Sequence, residues 1–353
     1  MNKYLRFFAA MLIAIPGFEI HAQKNQSNFP GADWARHDSA ELAGFDSKKI
    51  DKIIEYVVDS MNTTGLVVVA DGKILFDFGD TEELSYLASC RKSVLSMMFG
   101  KYVENGTIDL DLTLDKLGVN DLHGLLPMER RATIRHLVTA RSGIYHLSSN
   151  GGNELQYAPH RGTVEPGSYF YYNNWDFNAA GGIFEKLTKK NLYEAFEQDF
   201  AIPVDMQDFK LKEQRKVGDT TRSDFLAYHF LFSTRDMARL GLLMLNNGNW
   251  NGRQLIPEKW IKLSTSVVTP PGQINPAELR DGDFGYGYMW WIWCSDNDVL
   301  KGSYWARGAM GQYLVIIPTL NLVISHKTKP DYGRSTDFAR FKKIVNMIIE
   351  SRF

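Results

Sequence analysis

Only two cysteines, Cys90 and Cys294, occur in the 353 residues. Two cannot build a disulfide framework. They either form a single bridge, which an exported protein permits, or sit as small buried apolar residues. Charge of one sign is also missing: 40 basic residues face 41 acidic ones, and no Lys-rich or Arg-rich run stands out. That balance excludes a polyanion as an expected partner, nucleic acid included. The eight histidines form no His-Glu-x-x-His signature, and no glycine-rich phosphate loop is present. Asp109, Asp111 and Asp115 lack the glycine and terminal glutamate of a calcium loop, and Leu110, Leu112 and Leu114 between them read as a structural turn. No metal or cofactor is therefore expected. Internal repeats are absent, and so is a second long apolar run after the N-terminal one.

That first run reads as an export signal over residues 1–22. Lys3 and Arg6 supply positive charge, Phe7 to Phe18 is apolar, and Ile20-His21-Ala22 fits a cleavage site before Gln23. About a dozen apolar residues interrupted by Pro16 are too few to span a bilayer. The mature protein is thus expected in the periplasm or outside the cell, without stable membrane insertion. Residues 23–40 are polar and read as a flexible leader. The rest, 41–353, is 44% hydrophobic across the chain as a whole, enough for a large core.

Apolar spacing predicts a helix over Ser47 to Met61. Gly65 to Ala70 and Lys73 to Phe78 flank Asp71-Gly72 and read as a hairpin. Helices are predicted over Ser89 to Glu104, Ile134 to Thr139, Phe177 to Leu187, Leu192 to Ala201 and from Ser233 to Leu245. Strands follow at Tyr286 to Trp293, Tyr304 to Gly308, Gln312 to Ile317 and Leu322 to His326, then a helix over Asp337 to Glu350. Strands at both ends with helices between them imply an α/β fold. One antiparallel sheet carries flanking helices, and a helical subdomain of about 86–224 is inserted into it.

Ser89-Cys-Arg-Lys92 is the single Ser-x-x-Lys of the chain. Three residues is nearly one helical turn, so both side chains share a face. A lysine that loses pKa through burial can take the serine proton. The plainer reading is a serine N-cap beside a solvated lysine. Downstream, the segment Pro166 to Phe177 holds Tyr-x-Asn in two registers, Tyr171/Asn173 and Tyr172/Asn174. A phenol beside an ammonium can relay a proton, and an asparagine amide can hold a carbonyl. Here the plainer reading is an aromatic loop packed on the core.

The ordered set of these pieces resembles the serine β-lactamase-related hydrolases: class C β-lactamases, D-alanyl-D-alanine peptidases, esterases and nylon-oligomer hydrolases. The likeness runs from about Asp46 to Ser325. It includes Ser89-x-x-Lys92, Glu104-Asn-Gly-Thr-Ile-Asp-Leu-Asp111, and Ile134-Arg-His136 through Ser142-Gly143-Ile144. It continues with Pro166-Gly167-x-x-Phe170-x-Tyr172-x-Asn174, Ser233-Thr-Arg-Asp236, and Gly285 through Trp291. The resemblance favours the Tyr172/Asn174 register. It implies a β-lactamase/transpeptidase-like fold and acyl transfer on an amide or ester, from a small molecule or short peptide. Ser89 would be the nucleophile, Lys92 and Tyr172 the proton carriers, and Asn174 the substrate holder. The N–H groups of Ser89 and Ala309 would receive the oxyanion, and His136 would be structural.

One element departs from the family. Its Lys-Thr-Gly or His-x-Gly strand is here Ala306-Arg307-Gly308. Gly308 matches, but Ala306 supplies no cation. Strand alternation turns Arg307 to the other face, so Arg307 is not expected to replace it, and recognition of a β-lactam or free carboxylate is put in doubt. The aromatics Trp175, Tyr286, Tyr288, Trp290, Trp291 and Trp305 divide between core and cleft, and those in the cleft favour apolar or amide-containing substrates. Two alternatives remain: a dedicated β-lactamase or D-alanyl-D-alanine peptidase, and a non-hydrolysing binding or sensor protein on the same scaffold.

Overall fold

A computed structural model describes residues 29–151 and 155–353. The expected export signal and the first part of the leader lie outside the described residues.

The chain opens with helix α1 (Ser47–Ser60), capped by Asp46, whose carboxylate accepts from the N–H groups of Lys48 and Lys49. Ile50, Ile53 and Val57 form its buried stripe. Strands β1 (Gly65–Ala70) and β2 (Lys73–Gly79) follow as the predicted hairpin. Asp71 and Gly72 turn it at φ 48° and 80°, the left-handed pair that a two-residue turn demands.

The sheet resumes only at β3 (Phe284–Tyr286), β4 (Trp291–Trp293), β5 (Tyr304–Gly308), β6 (Gln312–Ile317) and β7 (Leu322–Lys327). Its order is β2-β1-β7-β6-β5-β4-β3, antiparallel throughout. The expected single strand from Tyr286 to Trp293 is two. Gly287 N–H donates to the Trp290 carbonyl at 2.9 Å, Met289 takes φ 64°, and Trp291 returns to pair with Tyr286.

Both faces of the sheet are covered, so β1, β6 and β7 are buried along their whole length. On one face, Leu66, Val68, Val315 and Ile324 meet α1 and the terminal helix α8 (Phe338–Glu350) through Phe341, Ile344 and Ile348. On the other, Val67, Val69, Leu314 and Val323 meet the helices inserted between β2 and β3. These are α2 (Cys90–Glu104), α3 (Ile134–Val138), α4 (Asn174–Thr188), α5 (Leu192–Phe196), α6 (Thr234–Leu245) and α7 (Glu258–Ser264). Helix α4 starts three residues before the predicted Phe177 because the Asn173 side chain accepts from Asp176 N–H and caps it. The predicted Leu192 to Ala201 helix widens after Phe196 into a π-type turn, Glu197–Ala201, in which Ile202 N–H reaches the Glu197 carbonyl.

Where it is described, the leader docks on β2 and on α6. Arg36 pairs with Asp77 at 2.7 Å and bridges to Ile74, and Arg239 donates to the carbonyls of Gly31 and Ala32. Polar composition concealed this docking because the bonds run through backbone carbonyls. The two cysteines are both free: Cys90 is buried and Cys294 exposed, so the single-bridge alternative is closed.

Helix α6 lies against β6 and β7 at Gly241, where an added Cβ would sit 2.4 Å from a Val323 methyl and 2.9 Å from a Leu314 methyl. Gly241→Ala therefore overpacks this contact. The expected loss is about 1–3 kcal/mol, read as a lower midpoint of urea unfolding with the slope unchanged.

Candidate active site

Helix α2 has almost no solvent face: twelve of its fifteen residues are buried. Its two interior serines are satisfied internally. Ser93 and Ser96 hydroxyls donate to the carbonyls of Met289 and Tyr288, both at 2.7 Å. The chain enters the helix through Ala88 at φ 47°, a left-handed residue that turns the backbone sharply before Ser89.

Ser89 occupies the N-cap position, yet its hydroxyl makes no capping bond. It accepts instead from Lys92 Nζ at 3.0 Å. The plainer expectation, a capping serine with a solvated lysine, therefore does not hold. Lys92 is 1% exposed. Its Nζ also meets Tyr172 Oη at 2.7 Å and Asn174 Oδ1 at 2.8 Å. Four of the expected residues thus converge on one nitrogen, with α2 supplying two and the entry to α4 the others.

The structure separates the two tyrosine registers. Tyr171 is buried, edge-on to Tyr145 at 5.7 Å, and Asn173 is spent on capping α4. Tyr172 and Asn174 face Lys92. Burial pushes the Tyr172 phenol above its ordinary range, against an opposing hydrogen bond with Ser89. The phenol therefore stays protonated at neutral pH.

A second rung joins α2 to α4 one turn further on. The fully buried Arg91 donates from Nη2 to Asn178 Oδ1 at 2.7 Å and stacks over Tyr228 at 4.3 Å. Among the described residues no carboxylate lies within ion-pair reach of Arg91. Beneath α4, Ser142 of the resembled motif donates to Asp176 Oδ1 at 2.6 Å, and burial holds that carboxyl well above its usual range. His136 is structural: its ring accepts from Thr133 N–H while the Thr133 hydroxyl accepts from His136 N–H, closing a capping box on α3.

Ser89 opens into a cleft of about 250 Å³ whose other walls include Tyr172, Trp291, Gly308, Ala309 and Phe338. The backbone N–H groups of Ser89 and Ala309 make no hydrogen bond to any described residue. Of the aromatics expected to divide between core and cleft, Trp175, Trp290 and Trp305 are fully buried, and Trp291 alone reaches the cleft wall. Sequence reasoning missed Phe338, at the start of α8, and Arg307. Alternation does place Arg307 opposite Ala306, among Phe284 and Phe338, but its side chain still lines the cleft. The face assignment agrees with the structure, and the long side chain, one residue from the end of β5, nevertheless joins the cleft wall.

A sequence model of the beta-lactamase family matches residues 50–341. An uncharacterised protein of Alkalihalophilus pseudofirmus is 26% identical over 259 residues, which cover 67% of this chain and 71% of that protein. Among solved structures, a putative 6-aminohexanoate-dimer hydrolase from Bacillus anthracis superposes with TM-score 0.65 and 23% identity, over 84% of this chain and 80% of that one. A putative beta-lactamase from Bacteroides dorei superposes with TM-score 0.63 and 17% identity, over 87% and 99%. These likenesses give the β-lactamase/transpeptidase-like fold.

Gly308 packs closely against the chain that leads into Ser89. A Cβ there would lie 2.8 Å from the Leu87 carbonyl and 3.2 Å from the Ala88 methyl, the two residues that set Ser89. Gly308→Ala should displace that turn. The expected result is a folded protein whose Ser89 reacts with a fluorophosphonate about 10–100-fold more slowly, as small misplacements of reacting groups do. Labelling rates on matched, folded preparations provide the check.

Proposed function

Because the chain belongs to the beta-lactamase family, we propose that it is a serine hydrolase that cleaves an amide or ester by acyl transfer. One observation carries this reading: Lys92 Nζ lies within hydrogen-bond distance of the Ser89 hydroxyl, the Tyr172 phenol and the Asn174 amide oxygen. A binding protein would gain nothing from burying a lysine against a serine that could otherwise cap its helix.

In this mechanism Ser89 Oγ attacks the substrate carbonyl and passes its proton to the Lys92 amine. The carbonyl oxygen, now negative, is received by the N–H groups of Ser89 and Ala309, which already lie on the cleft without internal acceptors. Tyr172 keeps its proton in the resting site, so it serves as a relay. It gives a proton to the leaving group and recovers one from Lys92. Asn174 holds the Lys92 head group in place. Water then attacks the acyl-Ser89 ester, the same groups work in reverse, and the acid is released.

The N-terminal basic and apolar segment supports export, so the enzyme would act in the periplasm or outside the cell on a small molecule or short peptide. A putative 6-aminohexanoate-dimer hydrolase among the similar folds makes linear amides reasonable first substrates.

Ser89→Ala should abolish labelling and lower ester hydrolysis by at least about 10⁴-fold while leaving the thermal midpoint nearly unchanged. Tyr172→Phe should lower kcat by about 10²–10⁴-fold, and Tyr171→Phe by far less. Turnover of simple aryl esters by a folded Ser89→Ala protein at the wild-type rate would refute the mechanism. A larger effect at Tyr171 than at Tyr172 would refute the relay.

A further inference from the structure

Arg307 has a setting that the hydrolytic chemistry does not use. Its guanidinium carbon lies 3.6 Å from the centre of the Phe338 ring and 4.8 Å from that of Trp291, and both rings line the same cleft as Ser89. Phe284 closes the cage at 5.2 Å. Nη1 is held by Asp281 Oδ2 at 2.9 Å. Asp281 is itself fixed, accepting at Oδ1 from the N–H groups of Asp283 and Phe284. Nε and Nη2 bond to no described residue.

We propose that Arg307 is a specificity-determining residue that selects substrates carrying a carboxylate, binding it through the guanidinium edge left open in the cleft. The proposal rests on the hydrolase reading above.

Three physical points support it. A guanidinium with rings against its faces can hydrogen-bond only within its own plane, so the open edge is a directed fork. Asp281 already balances the charge, so a diffuse anion gains little from the field. A planar acceptor with two oxygens gains from the paired, directed bonds. Finally, the cage fixes the side chain in advance, so little rotamer freedom remains to be lost when substrate binds. The missing cation of Ala306 is then compensated from the neighbouring position on the strand, by a side chain approaching from the opposite face of the sheet.

The test uses two matched substrate pairs with the mature enzyme. On the acyl side, 4-nitrophenyl hydrogen glutarate is compared with 4-nitrophenyl valerate. On the leaving side, 3-carboxyphenyl valerate is compared with phenyl valerate. The expected result is a kcat/KM ratio of acid to neutral ester of about 10–100 in one pair, the range a charge-assisted hydrogen bond supplies. Arg307→Gln should bring that ratio to about one. Asp281→Asn, which frees the guanidinium, should raise it instead. A wild-type ratio near one in both pairs overturns the proposal, and so does a preference that survives Arg307→Gln. The wild-type ratio and the Asp281→Asn shift decide the matter should Arg307→Gln not fold. Hydrolysis of none of the four esters would overturn the hydrolase reading itself, a result distinct from efficient but indifferent turnover.

Discussion

The buried head group of Lys92 is the constraint around which the helical half of the molecule is arranged. Taking a lysine head group out of water is costly unless its hydrogen bonds are met and its neighbours fixed. Here three oxygens meet it, from a hydroxyl, a phenol and an amide, and they come from two chain segments eighty residues apart. Holding them in place requires the cap on α4 by Asn173, the Ser142–Asp176 bond under that helix, and the second rung from Arg91 to Asn178. Ser93 and Ser96 tie α2 to the turn between β3 and β4. The helical layer is therefore a support for one nitrogen as much as a hydrophobic core.

The choice of amides over carboxylates beside Arg91 and Lys92 follows the same logic. A carboxylate at Asn178 would neutralise Arg91 and relieve its burial. It would also place a negative charge one turn from Asn174 and the Lys92 head group. An amide oxygen satisfies the hydrogen bond without adding a charge, leaving the buried guanidinium to oppose further positive charge nearby.

The parts of this arrangement that are local in sequence were legible there. The Asp71-Gly72 hairpin, the stripe of Ile50, Ile53 and Val57, and the helical spacing of Ser89 and Lys92 each depend on residues within one or two turns of chain. The Tyr172 register needed the family resemblance, because two tyrosines and two asparagines in a row carry no period that separates them. What escaped was set by tertiary reach. Phe338 touches the cleft only because α8 lies across the sheet, and Arg307 because a correct face assignment says nothing about where a long side chain ends. Similarly, the aromatic run from Tyr286 to Trp293 conceals a tight turn, since alternation looks the same on either side of it.

The pairing of β1 with β7 has a further consequence, for the order of events in folding. Thr63 meets His326 across 263 residues of chain, and β1 and β2 are joined to the other five strands only through β7. Contacts so distant close slowly. The cleft also needs Ala309 from the β5–β6 turn and Phe338 from the last helix. A chain emerging from a ribosome or threading a translocation pore therefore carries Ser89 and Lys92 long before it carries the surfaces that complete their cleft. Any activity at this site is thereby deferred until almost all of the polypeptide has been delivered.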